Sequence, residues 1–451
     1  MRRYITTADG SRSHEVSELS WITDESSEER QIVCYPQHLR QRIIGFGGAL
    51  TEASARVFAS MPAELQDEAL LRCFGPAARG GNAYTFCRTH LQSCDFACGI
   101  YAYVSRLRRG RPMLDTFSIE RDQSLLIPFI RCCMALQPDL TLVAAPWSPP
   151  AFMKTNRSMC RGGKLKPESY SDWAQVLARA VSAWRAEGMP LAYLSVQNEP
   201  MATQTWDSCI YTAAEEARFA AQHLLPALDA NGVGDVKLLA WDHNKERLVA
   251  RAADIACTLK ELNKAVDDVF SGFAFHWYTG DHFEAIRVLR DLYPEMELIH
   301  TEGCAAFSAG DSAAQAADAE HYAHDMIGDL DAGANGYIDW NILLDEQGGP
   351  NHVGNYCDAP LMYDRSARRL VVNRSFDYIG HMTRYIRPGA QVFPTSSYTA
   401  ALETLGARNP DGTHALVVLN RGESRHRATL RTGSNTAHIS APAHSIQTIV
   451  W

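Results

Sequence analysis

Short apolar runs alternate eight times with longer amphipathic segments between residues 43 and 385 of this 451-residue chain. The runs are 43–50 (IIGFGGAL), 84–91 (YTFCRTHL), 140–147 (LTLVAAPW), 191–197 (LAYLSVQ), 236–241 (VKLLAW), 272–278 (GFAFHWY), 297–302 (ELIHTE) and 336–342 (GYIDWNI). Their near-continuous apolarity suits strands covered on both faces. The intervening segments carry helix signals. PAELQDEALLRCF opens with Pro62 in its first turn, and SIERDQSLLIPFIRCCMALQ has Ser118 in the cap position. PESYSDWAQVLARAVSAWRAEG spaces Trp173, Val176, Leu177, Ala180, Val181 and Trp184 along one helix face and stops at Gly188. Segments 213–230, 245–262, 282–293, 312–330 and 371–385 behave alike, while 153–166 and 342–365 read as long polar loops. Strand and helix repeated in this way predict an α/β chain whose parallel strands close into a (β/α)8 TIM barrel.

Beyond residue 390 the period changes. SYTAALETL, HALVVLN, RHRATLRT and HSIQTIVW are short alternating strands separated by turns such as NPDG. RYITTADG, SELSWI and RQIVCYP near the N-terminus read the same way. The expected organisation is therefore N-terminal strands over 1–40, a catalytic barrel over 41–389 and an antiparallel β-sandwich over 390–451. Both ends of the chain would share that side domain.

Composition narrows the function classes. A formal net charge of −9 without any basic stripe gives no footprint for nucleic acid. No apolar stretch reaches the ~18 residues of a transmembrane helix. The opening MRRYITTADGSRSHEV has two arginines but no apolar segment behind them, so a cytoplasmic location is expected. Twelve scattered cysteines fit reduced thiols rather than a disulfide framework. His90, Cys94 and Cys98 stand at i, i+4 and i+8, but on a strand end and the loop after it. No second cluster completes a tetrahedral set there, and no metal site is expected.

In a barrel of this kind the C-terminal strand ends face the active site. The fourth run ends Gln197-Asn198-Glu199-Pro200 with no turn signal before the carboxylate. An unpaired buried charge there would cost several kcal/mol, so Glu199 needs a partner or a wet pocket. The seventh run ends at Glu302. Arg88 and Asp95 come from the second, Trp147 from the third, and Asp242, His243 and Asn244 from the fifth. His276, Trp277 and Tyr278 come from the sixth, and Asp339, Trp340 and Asn341 from the eighth. Two carboxylates among tryptophans meet the needs of retaining glycoside hydrolysis, where a nucleophile and an acid/base stand about 5–5.5 Å apart. A nearby arginine such as Arg88 is expected to keep the nucleophile charged. Asn198 would bond the sugar 2-hydroxyl, and Trp147 and Trp340 would offer flat faces to its ring. Taken singly, each residue has a structural explanation: a capping Glu, a packed Trp, a hydrogen-bonded core His. Their convergence on one lip favours chemistry.

The segments IGFGGALTEASA, APWSPPAFMKTN, LSVQNEP, FHWYTG, HTEGC, DWNILLDEQGGPNHVGNYCDAP and FDYIGHMTRYIRPG together resemble glycoside hydrolase family 30, in its glucosylceramidase-like branch. The resemblance implies a (β/α)8 barrel with a side β-sandwich, retaining stereochemistry and no cofactor. It implies Glu199 as acid/base and Glu302 as nucleophile. Arg88, Asp95, Trp147, Asn198, His276, Tyr278, Trp340 and Asn355 would line the pocket for the non-reducing sugar. Gly303 stands where the family usually has alanine, and Cys87 where a larger or β-branched residue is usual. The implied activity is a β-glucosidase of glucosylceramidase type, exo-acting on a β-linked glycoside or oligosaccharide. The alternatives are β-xylosidase, β-fucosidase or endo-β-1,6-glucanase activity and, more remotely, a non-catalytic carbohydrate-binding barrel. Loops 153–166, 201–212 and 342–365 are expected to border the mouth.

Overall fold

The computed structural model describes residues 1–7, 12–13, 19–23, 30–105 and 112–451. Each of the eight apolar runs forms a parallel strand of one closed barrel. They are β1 (Gly45–Ala49), β2 (Phe86–Leu91), β3 (Thr141–Pro146), β4 (Leu191–Ser195), β5 (Lys237–Asn244), β6 (Gly272–His276), β7 (Glu297–Glu302) and β8 (Gly336–Asn341). Phe86, Val143, Tyr193, Leu239, Ala274, Ile299 and Ile338, one from each of β2 to β8, fill the interior as an apolar plug. β1 supplies glycines instead. A Cβ on Gly47 would fall 2.1 Å from the Phe86 carbonyl oxygen, so only glycine lets β1 and β2 close the ring here.

Helices wrap the barrel where the periodicity placed them. Tyr170–Ala186 buries all six residues of its expected face. Two segments depart from a single helix, each at a proline. Ser118 Oγ accepts from the Glu120 N–H at 3.1 Å, but the segment splits into Glu120–Ser124 and Leu126–Leu136. Pro128 has no N–H to return to the carbonyl four residues back, which releases the break at Leu125. Pro226 has the same effect on 213–230, where a wider π turn covers Ala220–Leu224.

Both ends of the chain meet in a β-sandwich. One sheet orders strands 391–393, 403–408, 414–420, 445–450, 2–7 and 12–13; the other orders 395–397, 31–34, 426–432, 435–441 and 22–23. Arg2–Thr7 pairs with Ser445–Val450 along its whole length. Of the expected N-terminal strands, residues 8–10 and 17–18 lie outside the described residues. Strand Asn435–Ala441 was not expected; it follows a two-residue turn at Gly433, whose φ is +57°. HALVVLN lost its alternation because both its faces are covered. Leu416 and Val418 enter the sandwich core, while Ala415, Val417 and Leu419 join the barrel's core.

The expected polar loop 342–365 is partly ordered sheet. Leu343–Asp345 and Leu361–Asp364 pair in parallel, and Arg369–Val372 completes a three-stranded sheet. The intervening residues hang from this sheet across the barrel mouth.

Candidate active site

The C-terminal rim is built from broken register. Between β5 and β6, Ala274 faces Trp241 and Phe275 faces His243, so Asp242 is an extra residue. Between β6 and β7, Phe275 faces His300 and His276 faces Glu302, leaving Thr301 extra. Between β8 and β1, Trp340 is extra. A bulge of this kind re-aims its side chain. Trp241 and Asp242 have φ of +74° and +52°, and Glu199 has +46°. Such backbone costs roughly 1–3 kcal/mol per residue and is kept where surrounding contacts impose it. For Glu199 they do: its N–H donates to the Asp242 carbonyl at 2.9 Å, and the Asn198 N–H to the Pro146 carbonyl at 2.9 Å. The odd ending of the fourth run is therefore a strand that leaves its ladder and is caught by two neighbours.

The inward side chains form one network. Arg88, fully buried on β2, donates to Glu302 Oε2, to Asn198 Oδ1 at 2.8 Å and to Asp242 Oδ2 at 2.7 Å. Tyr278 Oη donates to Glu302 Oε1 at 3.0 Å. His276 turns Nε2 to Asp242 Oδ1 at 3.1 Å and Nδ1 to Glu199 Oε1 at 3.4 Å. Thr301 Oγ1 adds a 2.6 Å bond to Asp242. Trp147 and Trp340 stack with centroids 5.4 Å apart, and the Arg88 guanidinium lies 4.8 Å over Trp147.

A cavity of about 260 Å³ opens above this network. Asp95, Trp147, Asn198, Glu199, Tyr278, Glu302, Trp340 and Asn355 line it as expected, joined by Gln204, Trp206, His243, Asn244 and Cys304. Arg88 and His276 do not line the cavity. They stand one layer behind the carboxylates because both are fully buried against Asp242. Loop 153–166 also lies off the cavity. It backs loop 201–212 instead, through a Cys160–Asp207 bridge and an Arg161 N–H donated to the Gln204 carbonyl at 2.8 Å.

The electrostatics run against the expectation that Arg88 keeps the nucleophile charged: Glu302 is held above its ordinary range and Glu199 below it. Burial pushes Glu302 up and the charge of Glu199 adds to it, over the opposing pull of His276 and Arg88. Burial would raise Glu199 too, but the bond from His276 and the neighbouring His243 hold it below the usual carboxylate range. Burial disfavours the His276 cation, yet Glu302, Asp242 and Glu199 together push it up to about 9. Asp242 stays well below the usual range because Arg88 and His276 outweigh its burial. Arg88, His276, Asp242, Glu199 and Glu302 thus hold their protons as a coupled set. Asp95 is pushed up to about 7 by burial and by Glu302; its Oδ2 accepts from Asn355 at 2.9 Å. Its Oδ1 is buried with no partner among the described residues.

Two groups bring three metal-capable donors together among the described residues: Glu199–His243–His276 and His300–Asp325–Asp329. The first already holds the His276 cation, and the second the Lys245 ammonium. His90 commits both ring nitrogens, to the Gln92 carbonyl at 2.6 Å and the Glu52 N–H at 3.0 Å. It has none to share with Cys94 and Cys98.

Asp242 is the hub that sequence reasoning placed at a strand end without a role. Its signal was only WDHN closing the fifth run; the bulge that turns it inward depends on the pairing with β6.

Comparison with known proteins agrees with this geometry. Residues 43–386 match the glycosyl hydrolase family 30 TIM-barrel domain, and residues 389–449 match the family 30 beta sandwich domain. Lysosomal acid glucosylceramidase of Mus musculus is 30% identical over 434 residues, covering 92% of this chain and 82% of that protein. An endo-1,6-beta-D-glucanase of Neurospora crassa is 26% identical over 402 residues, covering 86% and 80%. The crystal structure of SrfJ from Salmonella typhimurium superposes with a TM-score of 0.93 at 39% identity, covering 100% of this chain and 99% of that one. With both domains matched and a carboxylate-lined pocket where the barrel opens, this chain belongs to glycoside hydrolase family 30.

Proposed function

We propose that this hydrolase is an exo-acting, retaining β-glucosidase of the glucosylceramidase type. The observation that carries the exo reading is how the mouth is closed on one side. His352 Nδ1 donates to the Ala97 carbonyl at 2.9 Å, and its Nε2 lies 3.5 Å from Asp207 Oδ2. Asn355 bonds Asp95. The loops after β2, β4 and β8 are thereby tied into a wall, which leaves a pocket for a chain end rather than an open cleft. The free Oδ1 of Asp95 faces the need of a buried sugar hydroxyl.

In this reading Glu302 attacks the anomeric carbon while Glu199 protonates the departing glycosidic oxygen. The resulting glycosyl ester is cleaved by water that Glu199 deprotonates, and Glu302 leaves. Arg88 and Tyr278, donating to opposite oxygens of Glu302, orient it and favour its anion. The raised affinity of Glu302 for a proton comes first from burial and in part from the charge of Glu199, so protonating Glu199 lowers it. His276, with Nδ1 turned to Glu199, is the proton's reservoir. Arg88 also holds the Asn198 carbonyl, which leaves the Asn198 amide N–H to the sugar 2-hydroxyl.

Initial rates on 4-nitrophenyl β-glucoside, β-xyloside, β-fucoside, β-galactoside and α-glucoside, with a β-1,6-glucan alongside, test the proposal. Turnover confined to the β-glucoside supports it, and glucan cleavage without any small-glycoside turnover would replace it with the endo reading.

A further inference from the structure

Two of the twelve cysteines meet at the edge of the cavity. Cys304 lies two residues beyond Glu302 and lines the cavity wall. Cys357 lies two residues beyond Asn355 and is buried in the apolar cluster beneath the mouth, only 4% exposed. Both are free thiols, with Sγ atoms 3.1 Å apart. The backbone keeps them in place: Ala306 bridges Cys357, and the Asp358 N–H donates to the Ala305 carbonyl at 3.1 Å. Cys304 Sγ is also 3.5 Å from Tyr278 Oη, the hydroxyl that reaches Glu302.

We propose that Cys304 and Cys357 are a redox-modification site, which a low-molecular-weight disulfide such as glutathione disulfide closes into an intramolecular disulfide that slows the adjoining active site. Cys304 is the thiol that meets the oxidant, since it faces the cavity while Cys357 is covered. Its thiolate attacks one sulfur of glutathione disulfide, the glutathione S–S bond breaks, and one glutathione thiolate leaves. Cys357 then gives up its proton and attacks the Cys304 sulfur of the mixed disulfide, expelling the second glutathione. The two protein thiols are oxidised, one glutathione disulfide is reduced to two glutathiones, and the two protons end on those products.

The consequence for the site follows from distance. A disulfide bond is about 2.05 Å long, so the sulfurs must close by about 1 Å from their present contact. Cys304 moves away from Tyr278, and the pull acts on backbone two residues from Glu302. Gly303 gives little slack, because a Cβ there would already sit 2.8 Å from the Trp277 ring. A displacement of about 1 Å at reacting groups costs on the order of 10²-fold in rate. The loss of rate rests on the glycosidase reading above; the bond itself does not.

The test uses the full chain. The reduced protein is incubated with glutathione disulfide, remaining thiols are alkylated, and the digest is mapped by mass spectrometry beside rates on the preferred 4-nitrophenyl glycoside. The expected result is a Cys304–Cys357 cross-link, kcat/KM lower by about tenfold or more, and recovery with dithiothreitol. Cys357→Ala and Cys357→Ser are expected to keep the reduced enzyme's rate and to lose the response. A cross-link between other cysteines, no cross-link, or a mapped Cys304–Cys357 bond with unchanged rate overturns the proposal. An inhibition that persists in both Cys357 variants overturns it as well. Reduced protein inert on every glycoside would overturn the glycosidase reading instead, with the mapped bond still deciding the thiol site.

Discussion

Among the described residues of this barrel, two buried clusters join carboxylate, imidazole and cation, and one of them opens to the cavity. Below the rim, Lys245 donates to Asp325 and to Asp329 Oδ1 at 2.9 Å, and His300 Nδ1 bonds Asp329 Oδ2 at 2.7 Å. Tyr337 stacks on His300 at 3.8 Å and Phe283 lies under the Lys245 ammonium at 4.8 Å. None of these groups lines the cavity above. At the rim, Glu199 and Glu302 face that cavity, and Glu199 adopts a strained backbone to do so. The residue types in the two clusters are nearly the same. What separates a structural network from a reactive one is access for a substrate and a proton that can change hands. The sealed cluster pins the helix Ser312–Ala332 and the residue after β5 to β7. The open one turns its two carboxylates to the cavity.

That contrast can be broken by mutation. Glu302→Gln is expected to lower kcat/KM by roughly 10⁴-fold or more, because the proposed attacking carboxylate is lost, while circular-dichroism melting stays near that of the parent. Melting that collapses along with activity would place Glu302 with the structural groups. Glu199→Gln should cost about 10²–10⁴-fold on an alkyl β-glucoside and far less on an aryl one, since only the former needs the proton. Equal losses on both leaving groups would remove Glu199 from the acid role. Lys245→Met should do the reverse of the rim variants. It leaves two buried carboxylates without their cation, which costs about 3–5 kcal/mol in urea unfolding, with kcat of the folded fraction little changed.

Two smaller effects concern protons. His276 is pushed up to about 9, so it carries its proton below that pH and loses it above. The rate on an alkyl glucoside should therefore fall on the alkaline side near pH 9, and His276→Gln should abolish that limb. A limb unchanged in the variant would assign it elsewhere. Asp95, pushed up to about 7, is protonated in the folded protein at mildly acid pH and is a buried carboxylate above neutrality. Folded protein then binds more protons than the unfolded chain between the ordinary Asp range and about 7, so this group's contribution falls as pH rises through that window. Asp95→Asn should raise Tm by about 1–3 °C near pH 8, with no gain near pH 4, and weaken glycoside binding. A gain equal at both pH values would show that its ionisation is not the cause.

The parts of the site that were legible were those carried by local pattern. Glu199 and Glu302 stood out because each ends an apolar run, where an ordinary strand would stop on a turn residue. Trp147, Tyr278 and Trp340 followed from the same rule. Asp242 and Thr301 were not assignable, because their inward aim comes from one-residue slips between paired strands. Gln204, Trp206 and Cys304 join the wall only through the way loops lie across the mouth. The Cys304–Cys357 contact, between residues 53 apart in the chain, has no sequence signature at all.

Sequence by itself determined the eight-fold alternation, the barrel it closes, most of the sandwich strands at both ends and the two carboxylates at the lip. Hydrophobic period and strand-end chemistry are local properties, written in neighbouring residues. Tertiary structure alone decided where the protons sit. The balance among Glu199, Glu302, His276, Arg88 and Asp242 depends on burial and on distances of a few ångströms between five different strands and their ends. Arg88 read as an arginine that keeps the nucleophile charged. Folded, it is shared with Asp242 and Asn198, and Coulomb energy in a buried site responds to each of those contacts.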